Sequence, residues 1–205
     1  MARPVVDQRV ALRQEARRRE VMAAATAVFS ERGYRAASMN DIAVKMGMGK
    51  ASLYHYVASK EDVLIELYED VLRENVIAAR RIAGSERTAL EALAELIADR
   101  VAYTCRNREL LRIFFEEEAE LPARQQSRLI SVRHEYEQTL LEMVARGEAA
   151  GEFSLQTTPQ IFVNTVLGAA NWVYKWYQPD GSLSPEELGS QIADLLLAGL
   201  RHSKP

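Results

Sequence analysis

A single cysteine, three histidines and no long apolar run are the first features of this 205-residue chain. One thiol cannot close an internal disulfide or build a cysteine-based metal site. Two readings of Cys105 stay open: a small apolar filler on a helix, or a redox-sensing thiol, which needs an exposed thiolate. The histidines, His55, His134 and His202, are scattered. No glycine-rich phosphate loop, Ser-His-Asp order or metal-ligand spacing accompanies them. No catalytic residues, metal ligands or cofactor are therefore expected. No apolar stretch reaches the roughly 20 residues of a membrane helix, and Asp7 and Glu15 interrupt the N-terminal region where a secretory leader would be apolar. The expectation is a cytoplasmic protein with no membrane partner. Strand signals are equally scarce, since no alternating β-branched run is bounded by hairpin turns. The fold class that remains is all-α.

What is present is uneven charge. Residues 1–60 hold 11 Lys/Arg against 5 Asp/Glu, whereas residues 61–205 hold 15 against 24. The first part carries a phosphate-seeking field that the net charge of −3 for the whole chain conceals. Residues 1–12, with Arg3, Pro4 and Arg9 and weak periodicity, read as a mobile basic arm. From about Gln14 to Arg32 the pattern is helical, with Val21, Ala25, Val28 and Phe29 on one stripe and Gly33 as the stop. Ser38 is a good N-cap for a short helix to about Met46, and Gly47 supplies the positive φ of a tight turn. A third short helix is expected near Lys50 to Tyr56. Ser59 caps a long fourth helix to about Ala83. Further helices are expected near 87–105, 107–118, 122–150, 158–177 and 185–201. Ser184, Pro185 and Glu187 form a capping box with proline where its missing N–H is harmless.

Two short helices joined by a glycine turn, behind a longer packing helix, make a helix-turn-helix. The second short helix would enter the major groove. Its outward residues would be Lys50, Ala51, Ser52, Tyr54 and His55. Lysine reaches guanine or phosphate, serine and histidine offer adaptable hydrogen bonds, and Ala51 allows close approach or contact with a thymine methyl. Ser38 and Met39 begin the preceding helix, whose backbone N–H groups suit a phosphate.

The stretch from Phe29 to Leu64, FSERGYRAASMNDIAVKMGMGKASLYHYVASKEDVL, resembles the DNA-binding domain of the TetR/AcrR family of repressors. The resemblance rests on Phe29, Gly33 and Tyr34, then Ser38, Ile42 and Ala43, then Gly47, Leu53, Tyr54, Tyr56, Ser59, Lys60, Glu61 and Leu64. Val57 departs from the usual phenylalanine, and Ala51 stands where glycine is also common. The resemblance implies phosphate contacts from Ser38, Tyr54 and Lys60, with Lys50, Ser52 and His55 nearest the bases. Tyr54 has a second reading, as a cap on the small core. The division implied is a DNA-binding domain over residues 1–60 with its basic arm, and a ligand-binding and dimerisation domain over 61–205.

In that family the last two helices pair with those of a second copy, so a homodimer on palindromic double-stranded operator DNA is implied. The segment from Asn171 to Glu187 holds both tryptophans. It resembles the C-terminal domain of repressors of fatty-acid, steroid and aromatic-acid catabolism, which acyl-CoA thioesters release from DNA. By that resemblance Asn171 and Lys175 border the thioester or CoA phosphates. Trp172 and Trp176 serve either the ligand or the dimer interface. Independently, Tyr103, Leu110, Leu111, Phe114 and Phe115 form an apolar stripe beside Arg106, Arg108 and Arg112. That is either an acyl tunnel with a basic mouth or a core face with a solvated charged face. The ligand set expected is Tyr103, Arg106, Leu111, Phe114, Phe115, Asn171, Trp172 and Lys175. The small-molecule effector expected is an acyl-CoA, with a lipophilic drug or natural product as the alternative, and activation as an alternative to repression. Ligand binding would shift the fourth helix like a pendulum and move the two recognition helices off successive major grooves.

Overall fold

The computed structural model describes the backbone of residues 5–118 and 121–200 and, within these, all side chains except those of 5–11 and 125. The helices are α1 (Val5–Arg32), α2 (Met39–Lys45), α3 (Lys50–Leu53), α4 (Lys60–Ala83), α5 (Ala89–Arg106), α6 (Arg108–Glu117), α7 (Ala123–Ala149), α8 (Pro159–Trp176) and α9 (Pro185–Leu197). The all-α class follows, and from α4 onward the boundaries fall close to those read from periodicity.

Two expectations need correction. The arm expected over residues 1–12 is helical from Val5; Arg3 and Pro4 lie outside the described residues, as do residue 201 of the expected last helix and His202. Weak periodicity there marks a missing packing partner, not a missing helix: Leu12 is exposed, and the buried face of α1 begins at Val21. The recognition helix also stops at Leu53, short of Tyr56. His55 N–H and Tyr56 N–H instead donate to carbonyls three residues back, at 3.3 and 2.9 Å, tightening the last turn.

Reciprocal capping boxes start three helices, at Ser38 with Asp41, Thr88 with Glu91 and Ser184 with Glu187. Each box satisfies two backbone or hydroxyl groups that a helix start leaves without partners. Gly47 has φ +63°, the left-handed conformation that a Cβ would strain, and so allows the tight α2–α3 turn. Gly189 has a different role. A Cβ there would lie 2.4 Å from the carbonyl oxygen of Ala98, so its absence is what lets α9 lie directly on α5.

Two apolar cores organise the molecule. The first joins Val21, Phe29, Ile42 and Leu53 of α1–α3 to Leu64, Tyr68 and Leu72 of α4, Leu111 and Phe114 of α6, and Tyr174 of α8. The second joins Val76 and Ile82 of α4 to Leu93 and Ile97 of α5, Leu140 and Val144 of α7, Val163 and Val173 of α8, and Leu188 of α9. The change from one core to the other falls inside α4, between Leu72 and Val76. One continuous helix is thus embedded in both.

Candidate DNA interface and effector cavity

On α3 and the turn after it, Lys50, Ala51, Ser52, Tyr54 and His55 are all exposed, while Leu53 and Val57 are fully or almost fully buried in the first core. One stretch of chain therefore anchors itself through two apolar residues and offers the other side chains to a partner. The Lys50 amine lies 5.9 Å from the centre of the Tyr54 ring. At the start of α2 the Ser38 hydroxyl donates to the Asp41 carboxylate at 2.6 Å and accepts from the Asp41 N–H at 3.3 Å. The bond from the Ser38 hydroxyl, and then that from the Ser38 N–H at 2.9 Å, hold the Asp41 carboxyl below its usual range. Met39 is buried by its side chain, so only its backbone N–H, in the first turn of the helix, suits an anion.

Lys60 sits differently from the expectation. Its amine donates to the carbonyls of Tyr34, Arg35 and Ala37 at 2.9, 3.4 and 3.1 Å and lies 4.4 Å from the Tyr34 ring. An ammonium has three donors, and all three are occupied by the α1–α2 loop. Lys60 clamps that loop rather than presenting its charge to a phosphate.

The two halves are tied together around α6. Arg35 in the α1–α2 loop pairs with Glu117 at 3.1 Å. The Arg18 guanidinium of α1 donates to the Tyr56 carbonyl at 2.9 Å and pairs with Glu66 of α4. Aromatic rings continue the link. Phe114 stacks on Tyr68 with centroids 3.4 Å apart and planes at 4°. Phe115 meets Tyr68 edge-on at 6.0 Å and stacks on Tyr174 of α8 at 5.4 Å.

A cavity of about 300 Å³ lies at the seam between the cores. Its wall comprises Tyr68, Leu72 and Asn75 from α4, Arg100 from α5, Phe115 from α6 with Glu118 just beyond, Arg133, Tyr136 and Glu137 from α7, and Asn164, Leu167 and Asn171 from α8. Of the eight ligand residues expected from sequence, Phe115 and Asn171 line it. Leu111 and Phe114 are wholly buried in the first core, behind the wall.

The other four are elsewhere. Tyr103 donates to Glu74 at 2.8 Å. Arg106 pairs with Glu186 at the start of α9. Lys175 pairs with Glu116 at 2.9 Å on the exterior. Trp172 is 60% exposed. None of the four is on the cavity wall: Arg106 and Trp172 lie on other faces of their helices than the lining Arg100 and Asn171, whereas Tyr103 and Lys175 share the lining face but stand one turn further along. Trp172, Trp176, Ile161 and Leu195 instead form exposed apolar surface on α8 and α9. Cys105 is buried and its thiol is pushed up to about 11, chiefly by that burial. This is the apolar-filler environment and not that of a reactive thiolate.

The residues that periodicity missed give the cavity its polarity. Arg100 is 4% exposed, and its Nη2 donates to the Asn171 carboxamide oxygen at 2.6 Å. Its Nε and Nη1 are buried without a hydrogen-bond partner, and no carboxylate pairs with it among the described residues. Glu118 pairs with Arg133 at 2.5 Å, and Glu137 accepts from Gln160. Burial raises the Tyr68 phenol and pushes that of Tyr136 up to about 12, against the pull of the Arg100 charge. Both phenols are therefore neutral near pH 7. A signal for this does exist in the sequence: Asn75 and Arg100 interrupt apolar stripes at Leu72–Val76 and Ile97–Val101. A polar residue on a buried stripe marks either a network or a site.

Two family models match this chain. That of the bacterial regulatory proteins, tetR family, covers residues 21–67, and that of the tetracyclin repressor-like C-terminal domain covers residues 86–200. The chain is 29% identical over 197 residues to the HTH-type transcriptional repressor KstR2 of Mycobacterium tuberculosis, covering 94% of this chain and 96% of the relative. The solved structure of that ketosteroid regulator superposes with a TM-score of 0.79 over 92% of this chain and 96% of its own. A TetR/AcrR regulator from Thermobifida fusca is 33% identical, with a TM-score of 0.75 over 90% of this chain and 98% of that one. AibR, solved in complex with isovaleryl coenzyme A and operator DNA, is 25% identical, with a TM-score of 0.74 over 87% of this chain and 97% of its own. Exposed recognition side chains on a two-helix DNA motif, an all-helical C-terminal half and family models matching both parts lead to one conclusion: this chain belongs to the TetR family of DNA-binding transcriptional regulators.

Proposed function

We propose that this regulator is a repressor that binds a palindromic operator as a homodimer and leaves it when an acyl-CoA occupies the seam cavity. The observation that carries the reading is the position of that cavity: its wall includes α4, the helix embedded in both cores, and Phe115 of α6, which is tied to α1 and the α1–α2 loop. A ligand larger than the cavity presses on Tyr68 and Phe115 of its wall, and close-packed rings pass such displacements on rather than absorb them. The recognition helices then leave the spacing of about 34 Å that successive major grooves require. Reversing occupancy from 1:99 to 99:1 requires about a 10⁴-fold preference of the ligand for the released state.

On DNA, Lys50, Ser52 and His55 are assigned to base edges, Ala51 to close approach, and Tyr54 with the α2 start at Ser38 and Met39 to phosphates. The dimer surface is assigned to α8 and α9, whose exposed Trp172, Trp176 and Leu195 suit an apolar interface. The thioester class is supported by the isovaleryl coenzyme A of AibR and by the similarity to a ketosteroid regulator and, at 22% identity, to the Bacillus subtilis fatty acid metabolism regulator protein. The buried guanidinium of Arg100 on the wall suits a ligand that carries charged or polar groups, and so this class over a lipophilic drug.

The test is a gel shift with the full chain and DNA upstream of its own gene, with a panel of acyl-CoAs and the matching free acids. Release by a thioester at concentrations that leave a control repressor bound is the expected result. An operator complex that every thioester leaves intact overturns the ligand assignment, and failure to select a palindrome overturns the operator assignment.

A further inference from the structure

We infer that Arg100 is the receptor for a carboxylate carried by the effector, so that the seam cavity selects an acid-bearing ligand over an otherwise identical uncharged one. The inference rests on the effector-cavity reading above and specifies its chemistry.

The argument begins with the cost of a buried cation. A guanidinium withdrawn from water needs an anion and acceptors for its donors. Arg100 is 4% exposed, donates one side-chain hydrogen bond to Asn171, and leaves Nε and Nη1 without partners. The other wall groups do not supply the missing charge. Glu118 is paired with Arg133, and Glu137, which accepts from the neutral Gln160 and keeps its charge, makes no hydrogen bond or ion pair with Arg100 among the described residues. Tyr68 and Tyr136 are neutral phenols at pH 7. Because arginine can only donate, the Asn171 oxygen must face it, and the Asn171 NH₂ remains a second donor on the same wall.

The apolar members Leu72, Phe115 and Leu167 leave room for a short carbon skeleton beside this charge. A volume of about 300 Å³ is at the small end for a ligand pocket, so the buried part of the ligand is compact. A plain alkyl chain in that space would desolvate Arg100 further and return nothing to it. A carboxylate returns a charge-assisted hydrogen bond. It has two chemical sources, a free acid or the far end of a thioester made from a dicarboxylic acid.

The experiment measures melting of the purified full chain, and operator release, with matched probes: adipate against dimethyl adipate, cyclohexanecarboxylate against its methyl ester, and adipoyl-CoA against hexanoyl-CoA. At equal concentration the acid-bearing member of at least one pair is expected to raise the melting temperature more, since binding to the folded state stabilises it by mass action. Arg100→Gln, which keeps a donor for Asn171 but loses the charge, should weaken that probe about 30-fold and bind the uncharged member of the pair no more weakly than the wild type does. Arg100→Lys should recover part of the loss.

Equal shifts within every pair, or no shift from any acid, overturn the inference on the wild-type protein alone, whatever the variants do. Release by adipoyl-CoA and hexanoyl-CoA alike, unchanged in Arg100→Gln, leaves the thioester reading standing and removes the carboxylate. Release by adipate with neither thioester active does the reverse.

Discussion

Lys50 and Arg100, the cations proposed above to meet DNA and the effector, are held in opposite ways. Lys50 projects from a four-residue helix into solvent, beside other exposed side chains that contribute nothing to the core. Arg100 is enclosed by five helices and held by Asn171, 71 residues away in the chain. The first arrangement separates recognition from stability, so the operator contacts can change without disturbing the fold. The second merges them: whatever binds beside Arg100 also touches the rings of Tyr68 and Phe115 that pack the two halves together. In the proposed function, that is the route from effector to DNA.

The contrast can be broken most directly at Phe114. It is wholly buried and stacked on Tyr68. Phe114→Ala should cost about 3–5 kcal/mol in urea denaturation and abolish operator binding at temperatures where the wild type is folded. Operator affinity that survives this loss would show that the two halves are not coupled through α4 and α6.

Gly189→Ala tests the C-terminal half separately. The new Cβ meets the Ala98 carbonyl, so α9 must move off α5 at a cost of about 1–3 kcal/mol. A weakened dimer by analytical ultracentrifugation, with the operator-contact residues unaltered, is expected. A variant as stable and as dimeric as the wild type would mean that α9 does not depend on that close approach.

On the DNA side, Lys50→Ala and Tyr54→Ala should each lower operator affinity about tenfold in a fluorescence anisotropy titration. Thermal stability should change by less than about 0.5 kcal/mol, as for other exposed sites. A matching fall in stability would erase the distinction between the two regions and assign Tyr54 to capping the small core.

The smallest effect concerns Cys105. The fold favours its neutral thiol, raised from an ordinary 9.0 to about 11. The stability this lends is intact below pH 9.0 and is lost as the pH rises toward 11. Alkylation by iodoacetamide at pH 8 should therefore be slow in the folded protein and fast in 6 M guanidinium. Rapid labelling of the native chain would restore the redox-sensing alternative.

The helix-turn-helix and the exposure of its outward side chains are legible in the sequence because the information is local. Phe29 to Leu64 carries the turn glycine, the caps and the exposed recognition residues at fixed spacing. Lys60 is the exception there, because its side chain folds back onto carbonyls some 23–26 residues earlier, a contact that spacing cannot reveal. The cavity is legible only in part. Helical spacing and resemblance reach Phe115 and Asn171, but Arg106 and Trp172 lie on other faces of their helices, and Tyr103 and Lys175 stand one turn beyond the lining residues.

By itself, then, the order of residues determined where most of the helices begin and stop, that the fold is helical throughout its regular elements, and which side chains α3 and the turn after it show to solvent. Each of these depends on neighbours within one or two turns. Only the tertiary structure decided that α4 belongs to both cores, that Trp172 faces outward and that Arg100 is enclosed without an ion-pair partner among the described residues. Those facts depend on the rotation of whole helices about their axes as five of them pack around one space, and that rotation is set by the sum of distant contacts.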